Sequence, residues 1–450
     1  MTFNRILLAS ASAFAMSVTG ALADDNKAYL GQTGAGNSAL VQQSGSGNQA
    51  GSSAAVRRMT QAGDNNTLSI LQSGNNSQIG STSKNDLLST LSNRQTSLGL
   101  DQNGNFNSAT ITQSANNSII NQVQQKASIT GTVLSNTLTI TQEETGSTTR
   151  GNIVSNVSQT NTGAGSDAAD ANKVTISQNR TIDVGQDSNG SNVIADSHRQ
   201  GDNPSRQQLI SRGVIQNGMA NDATLSQTGG QNLIREVNQQ GNNNTATVSQ
   251  NGIKNGLAKL NGAAGSVGAT DSAVIQSGTL NSAGIAMVGN SNSFGITQLG
   301  TNNQAVDIIL AGNGNSLGVN QNGVDNKLTL GTVLGNFNNV GVEQMGKENT
   351  ATLMITGDFN GSNLGFSGAA LTAAGTLEAG LVSQKGERNE ATLTVFGDNN
   401  AFTLASNGND NMIVGMMTGN NHQAAVVQMG NGNTADFTQS GSGNNAGIIQ

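Results

Sequence analysis

The side chains able to do chemistry in this chain are amides in very large number, a thin scatter of carboxylates and two histidines. General acid–base catalysis needs two carboxylates, or a histidine and its partner, converging in one cleft. Here the carboxylates, such as Asp64, Glu348, Glu387 and Asp398, fall singly at turn or outward positions of the repeat described below. His198 and His422 are far apart in sequence and have no cysteine or carboxylate cluster to complete a zinc site. His422 stands where a repeat asparagine is expected, so it reads as a substituted structural residue. The absence of cysteine excludes disulfides, thiolate metal sites and thiol nucleophiles. No glycine-rich loop ends in Gly-Lys-Ser/Thr, and calcium-binding Gly-Gly-x-Gly-x-Asp nonapeptides do not recur. The expectation is a non-enzyme with no catalytic, cofactor-binding or metal-binding residues and no cofactor. The chemistry left is that of the amide, which carries a donor and an acceptor on one group and can bond to copies of itself in a column.

Those amides are periodic. Gln-x-Gly-x-x-Asn occurs fifteen times, beginning at Gln32, Gln43, Gln61, Gln102, Gln216, Gln227, Gln239, Gln250, Gln276, Gln298, Gln321, Gln344, Gln384, Gln428 and Gln439. Its asparagines include Asn37, Asn48, Asn221, Asn255, Asn281, Asn303, Asn326, Asn349, Asn389, Asn433 and Asn444, and Gln450 closes the last half-repeat. Six further copies keep Gly-x-x-Asn alone, ending at Asn292, Asn315, Asn338, Asn360, Asn400 and Asn411. The turn glycines Gly386, Gly397, Gly408, Gly419, Gly430 and Gly441 are spaced by eleven throughout. Full motifs tend to alternate with degenerate ones, since Gln276, Gln298, Gln321 and Gln344 lie 22, 23 and 23 apart. The natural unit is therefore two eleven-residue halves.

Parity identifies the element that positions the amides. After each motif asparagine, position +2 is apolar, and +4 and the next glutamine at +6 share its parity, as in Asn244-Thr-Ala246-Thr-Val248-Ser-Gln250. Alternation over six residues, punctuated by a glycine turn that favours positive φ, predicts short strands with Asn, the apolar residues and Gln on one face. Burying an amide alone costs a few kcal/mol. Coils stacked in register at ~4.8 Å let each amide donate to one neighbour and accept from the other. Like charges at that spacing repel, so Glu236 and Lys259, both at +4, are expected to mark bulges or weak coils. The fold class is all-β: a parallel β-solenoid of ~22-residue strand-turn-strand coils with amyloid-like stacking, at most roughly 19 coils and ~90 Å long.

Composition agrees. The chain of 450 residues carries 59 Gly, one Pro, one Tyr, no Trp and 10% charged residues. A conventional core would be hard to fill, yet the high net charge and abundant Pro of disordered chains are missing as well. With no basic cluster and almost no stacking aromatics, nucleic-acid binding is not expected. Residues 1–23 read as a secretory signal, with Arg5, a short apolar run Ile6–Val18 and Ala21-Leu22-Ala23 ahead of a cleavage site after Ala23. No later stretch is long enough for a membrane span. The remainder divides into repeats at 24–142, degenerate repeats at 143–213, repeats at 214–360, a Gly/Ala-rich interruption at 361–383 and repeats at 384–450.

The fifteen motifs, with an apolar residue two beyond Asn and Gln six beyond, resemble the curlin repeat, and the likeness covers most of the chain after residue 23. That resemblance implies a secreted subunit of curli-type fibres on the bacterial cell surface, serving biofilm matrix, adhesion and aggregation. It further implies self-assembly as the main partnership, with a nucleator subunit, a curli-type chaperone and an outer-membrane secretion pore. The edge strand Asn444–Gln450 carries no evident cap, so an open sheet edge is the expected working surface. An alternative reading is a monomeric secreted β-solenoid adhesin, or a polysaccharide- or ice-binding protein using the outward pairs Thr137/Thr139, Thr245/Thr247, Thr350/Thr352 and Thr392/Thr394.

Overall fold

The computed structural model describes residues 25–52, 59–80, 99–127, 135–145, 151–162, 170–181, 192–194, 213–362 and 365–450. Residues 1–23 with Ala23, the histidine His198 and much of 143–213 with Pro204 lie outside these. Among the described residues no helix is long and apolar enough to cross a membrane.

The chain winds as a two-sheet parallel β-solenoid. Strands alternate between the sheets, and each pairs with the strand one coil away in the same sheet. Among the described residues sheet 1 contains twenty strands on fifteen levels, because five levels carry their strand in two pieces, and sheet 2 contains fourteen strands. The coils are thus fewer than the roughly 19 that chain length allows, because segments such as 257–271 and 361–380 leave the coil at a corner. The alternation in Thr350–Thr356, whose even-numbered partners are only half-buried while Ala351, Leu353 and Ile355 are buried, recurs along the stack. One continuous core runs from Ala50 and Met59 to Ala435 and Phe437.

Register is nearly uniform, with Ser293–Thr301 pairing residue for residue with Ser316–Val324 and then with Asn339–Lys347. It breaks at Arg235, which separates the strands Leu233–Ile234 and Glu236–Asn242. There Val237 takes the inward place and Glu236 moves to the outward face, where a carboxylate keeps its water. Lys259 lies off the strands, in the excursion between Asn255 and Ser272.

Two such excursions carry short helices that fold back on the outside of sheet 1. Helix α1 (Gly262–Ser266) covers Gly318 and Gly341, and α2 (Gly368–Ala374) covers Gly447. The strand glycines are required by proximity: a Cβ on Gly341 would sit 2.1 Å from the Ala263 carbonyl, and one on Gly447 2.1 Å from the Ala369 carbonyl. Each helix is fastened by the first asparagine of the strand beneath it. Asn339 accepts from Ala264 N–H and donates to the Asn261 carbonyl, and Asn445 accepts from Ala370 N–H and donates to the Ser367 carbonyl, at 2.7 to 2.9 Å.

Candidate functional site: amide ladders and open sheet edges

The turn sets the geometry. In Gln-x-Gly-x-x-Asn the glycine has φ of +119° at Gly386, and a Cβ there would lie 2.0 Å from the carbonyl of Gly408, one coil on. Gly397, Gly408 and Gly419 approach Gly419, Gly430 and Gly441 equally closely, whereas Gly441, at the edge, faces nothing within 4 Å. Only glycine permits both the dihedral and the approach. The next-but-one residue takes a left-handed conformation, and the asparagine then starts the strand.

Thirteen asparagines form an unbroken ladder at the start of the sheet 2 strands. It runs from Asn37 through Asn66, Asn107 and Asn136 to Asn172, Asn221 and Asn244, with Nδ2 of each donating to Oδ1 of the one before at 2.8 to 3.3 Å. It continues through Asn281, Asn303, Asn326 and Asn349 to Asn389 and Asn411. Asn433 closes it with its backbone N–H on Asn411 Oδ1 at 3.0 Å. The same Nδ2 groups reach the turn glycines, as Asn389 does to Gly408 at 2.7 Å. A matching column opens the sheet 1 strands and includes Asn48, Asn255, Asn292, Asn315, Asn338, Asn360, Asn400 and Asn444. His422 occupies one level of it. Buried, it accepts the Asn444 N–H on Nδ1 at 3.2 Å while Nε2 lies 3.2 Å from the Thr418 carbonyl, which suits the neutral Nε2–H tautomer.

The glutamine ladder of sheet 1 spans twelve residues: Gln32, Gln61, Gln102, Gln125, Gln159, Gln216, Gln239, Gln276, Gln298, Gln321, Gln344 and Gln384. Each Nε2 donates to the next Oε1 at 2.6 to 3.0 Å. Ser406 interrupts it, and Gln428 and Gln450 resume it at 2.9 Å. In sheet 2 the ladder joins Gln43, Gln72, Gln113, Gln142, Gln178, Gln227 and Gln250 at 2.7 to 2.9 Å. There it stops. Met287, Leu310, Val333, Ile355, Val395 and Met417 fill the next six levels, and Gln439 restores glutamine on the last. In the amide-to-amide bonds glutamine Nε2 donates toward the later coil and asparagine Nδ2 toward the earlier one, so each ladder has a fixed sense.

The motif had singled out most of these positions but not Gln72, which keeps Gly74 but has Ser77 in place of the asparagine, nor Gln113, Gln125, Gln142, Gln159 or Gln178, which lack the following glycine turn. For four of them a signal existed, since Gln72, Gln113, Gln142 and Gln178 stand six residues after Asn66, Asn107, Asn136 and Asn172. Asn26 was also missed: its Oδ1 accepts Asn48 N–H at 2.8 Å and opens the sheet 1 column.

Charge sits outside the ladders. Arg388 pairs with Asp410 at 2.7 Å and with Glu387 at 3.0 Å, which holds the Asp410 carboxyl below its ordinary range and raises the guanidinium further. Lys347 is raised by its hydrogen bond and ion pair with Glu348. Burial pushes the Glu144 carboxyl up, opposed by the Asn116 N–H and the charge of Arg180. Among the described residues no group of three or more His, Asp or Glu could hold a metal ion.

Both sheets present unpaired edges. Within the described residues nothing pairs with the far side of Thr434–Ser442 or Asn445–Ile449, nor with the near side of Lys27–Thr33 or Ser38–Gln43. No curated protein matches the chain. A family model described as the curlin associated repeat matches residues 273–300, the stretch that makes one complete coil from Gln276 to Gln298. Because the glutamine and asparagine columns of that coil run through its neighbours in the same register, the match supports assigning the chain to the curlin-repeat family.

Proposed function

We propose that this protein is a secreted structural subunit that assembles end to end into curli-like amyloid fibres for biofilm matrix and surface adhesion. The supporting observation is that the asparagine columns reach open sheet edges and that the sheet 1 glutamines, interrupted once at Ser406, resume at the last edge with their donor sense intact. Gln450 Oε1 accepts from Gln428, while its Nε2 donates to the Thr434 carbonyl and can also serve a glutamine stacked beyond it. An amide column is satisfied everywhere except at its ends, so joining ends removes the two most costly levels. A nucleator subunit, a curli-type chaperone and an outer-membrane pore are the partners this reading requires. The chain incubated near neutral pH should give fibres with a meridional reflection at ~4.8 Å. A solution that stays monodisperse and monomeric under seeding would overturn the reading.

One observation favours a second reading. The outward Thr pairs are separated in sequence, but stacking brings Thr110, Thr139, Thr175, Thr224 and Thr247 to five successive levels of sheet 2. Thr112, Thr141, Ser177, Ser226 and Ser249 form a parallel row beside them. Such a regular hydroxyl surface suits a regular polysaccharide or ice. Co-sedimentation with polysaccharide that is lost in the Thr139→Lys, Thr224→Lys double variant would support it, whereas unchanged co-sedimentation would remove it.

A further inference from the structure

The two sheets do not end level. Sheet 1 has fifteen levels and sheet 2 fourteen among the described residues, and sheet 1 supplies both the first strand and the last. Since consecutive strands alternate between sheets, the next place along the winding path after Asn445–Ile449 lies in sheet 2, over Thr434–Ser442. Among the described residues that place is a recess one strand wide. A second copy set on with the same orientation would put its own sheet 1 strand over Asn445–Ile449. The recess would then stay empty, with unpaired backbone groups on both sides.

We propose that successive copies dock with a half turn about the long axis, so that Asn26–Gln32 of the incoming copy fills the recess and Asn37–Gln43 lies over Asn444–Gln450. This rests on the end-to-end reading above and specifies its geometry. Inward residues then meet like with like. Asn26, Ala28, Leu30 and Gln32 stack on Asn433, Ala435, Phe437 and Gln439. Asn37, Ala39, Val41 and Gln43 stack on Asn444, Ala446, Ile448 and Gln450.

Two features favour the half turn over same-face stacking, which would match inward residues equally well. The first is Gln439. It follows six apolar levels, and its Oε1 is buried without a hydrogen-bond partner because Met417 beneath offers no donor. Its Nε2 donates to the Gln423 carbonyl at 3.0 Å, as ladder glutamines do, and keeps a second N–H for a glutamine beyond, a bond that would offset part of the cost of the unpaired oxygen. The half turn supplies Gln32, whereas same-face stacking leaves Gln439 facing the empty recess. The second is α2. At α1 the outward column runs Gly318, Gly341, Leu381, and Leu381 closes the side of the helix by packing with Ala263 and Val267. At α2 the equivalent column runs Ala425, Gly447 and stops. The half turn brings Leu40 to that place, a leucine matching Leu381 and left 38% exposed on the outer face of its strand, whereas same-face stacking would bring Tyr29. Copies would therefore alternate along the fibre, with α2 on opposite sides in turn.

The chain has no cysteine, so introduced pairs report cleanly. Ile449 and Gln42 become neighbours under the half turn, and Ile449 and Gly31 under same-face stacking. Adjacent strands hold Cα atoms ~4.8 Å apart, within disulfide reach, whereas the mismatched pair falls on opposite sheets ~10 Å apart with outward side chains diverging, beyond that reach. Each pair lies at opposite ends of one chain, so any link joins two copies. Fibres of Gln42→Cys with Ile449→Cys, oxidised after assembly, should run as covalent multimers without reductant, and fibres of Gly31→Cys with Ile449→Cys should run as monomers. The reverse pattern, linkage of both, or linkage of neither in well-formed fibres would overturn the half turn. Should a variant fail to assemble, helical reconstruction of unsubstituted fibres decides: α2 density alternating between two sides supports the proposal, and α2 on one side refutes it. Absence of fibres from the unsubstituted chain would instead remove the end-to-end reading itself.

Discussion

Sheet 2 is built in two ways along one stack. In its first seven levels the inner wall is a glutamine ladder, Gln43 to Gln250, and the outer face is mostly Thr and Ser. In the next six the glutamines give way to Met287, Leu310, Val333, Ile355, Val395 and Met417, and the outer face exposes Val288, Ile309, Leu334, Phe396 and Met416. Across the core, sheet 1 keeps glutamine through nearly all of both stretches. The difference teaches that an amide wall and a hydrocarbon wall are interchangeable as blocks but not residue by residue. Satisfaction of a buried amide is collective, so the energetic cost falls where blocks meet, at Gln250 and at Gln439.

Substitutions can break that comparison, and the largest effect should come from placing an amide in the hydrocarbon block. Leu310 is fully buried between Met287 and Val333, so Leu310→Gln loses apolar burial and leaves an amide with no laddered neighbour. About 4 kcal/mol of destabilisation is expected, read as a shift in the urea midpoint of the dispersed monomer. The converse change inside the ladder comes second. Gln178 accepts from Gln142 and donates to Gln227, so Gln178→Leu strands a donor below and an acceptor above, at about 3 kcal/mol. The same substitution at the block boundary should be mild. Gln250→Leu strands only the Gln227 donor and packs onto Met287, so about 1 kcal/mol or less is expected. Equal losses for Gln178→Leu and Gln250→Leu would mean that the ladder acts as a set of independent pairs.

The block structure also explains which parts of the molecule were legible in sequence. Strands, their inward parity and the glycine turns follow from local rules, so Ala246 and Val248, or Gly386 with its fixed dihedral, declare themselves. Ladder membership is less local. Gln125 and Gln159 lie seven residues after Ser118 and Asn152, one more than the regular spacing, because Asn121 and Ser155 are passed over in the register. Nor can a degenerate half-repeat say whether its missing glutamine is a flaw or an aliphatic wall; that depends on Met287 meeting Leu310 across a coil. The helices were not legible because Gly262–Ser266 and Gly368–Ala374 are too short to form alone. They exist because Asn339 and Asn445 hold them and because Gly341 and Gly447 leave room. The Asn-Asn-x-Gly shared by 338–341 and 444–447 was the available clue.

The corner residues give the smallest test of the same division. One column of left-handed residues reads Asn65, Phe106, Ala220 and Asn243 beside the glutamine block, and Leu280, Asn302, Asp325, Glu348, Arg388 and Asp410 beside the hydrocarbon block, the last four charged. It is tempting to credit those charges with replacing the lost amide bonds. Glu348, Arg388 and Asp410 are solvent-exposed, however, and exposed ion pairs contribute little. Arg388 lowers the Asp410 carboxyl from its ordinary 3.8. The stability this contributes is therefore complete above that value and lost as pH falls through the lowered one. Arg388→Ala should differ from the parent only slightly at neutral pH, and the two urea midpoints should converge below about pH 4 and at high salt. Arg388→Gly, which also relieves a φ of +54°, should equal or exceed the parent in stability. A large loss in either variant that persisted at high salt would show the corner column, and not the hydrocarbon wall, standing in for the missing glutamines.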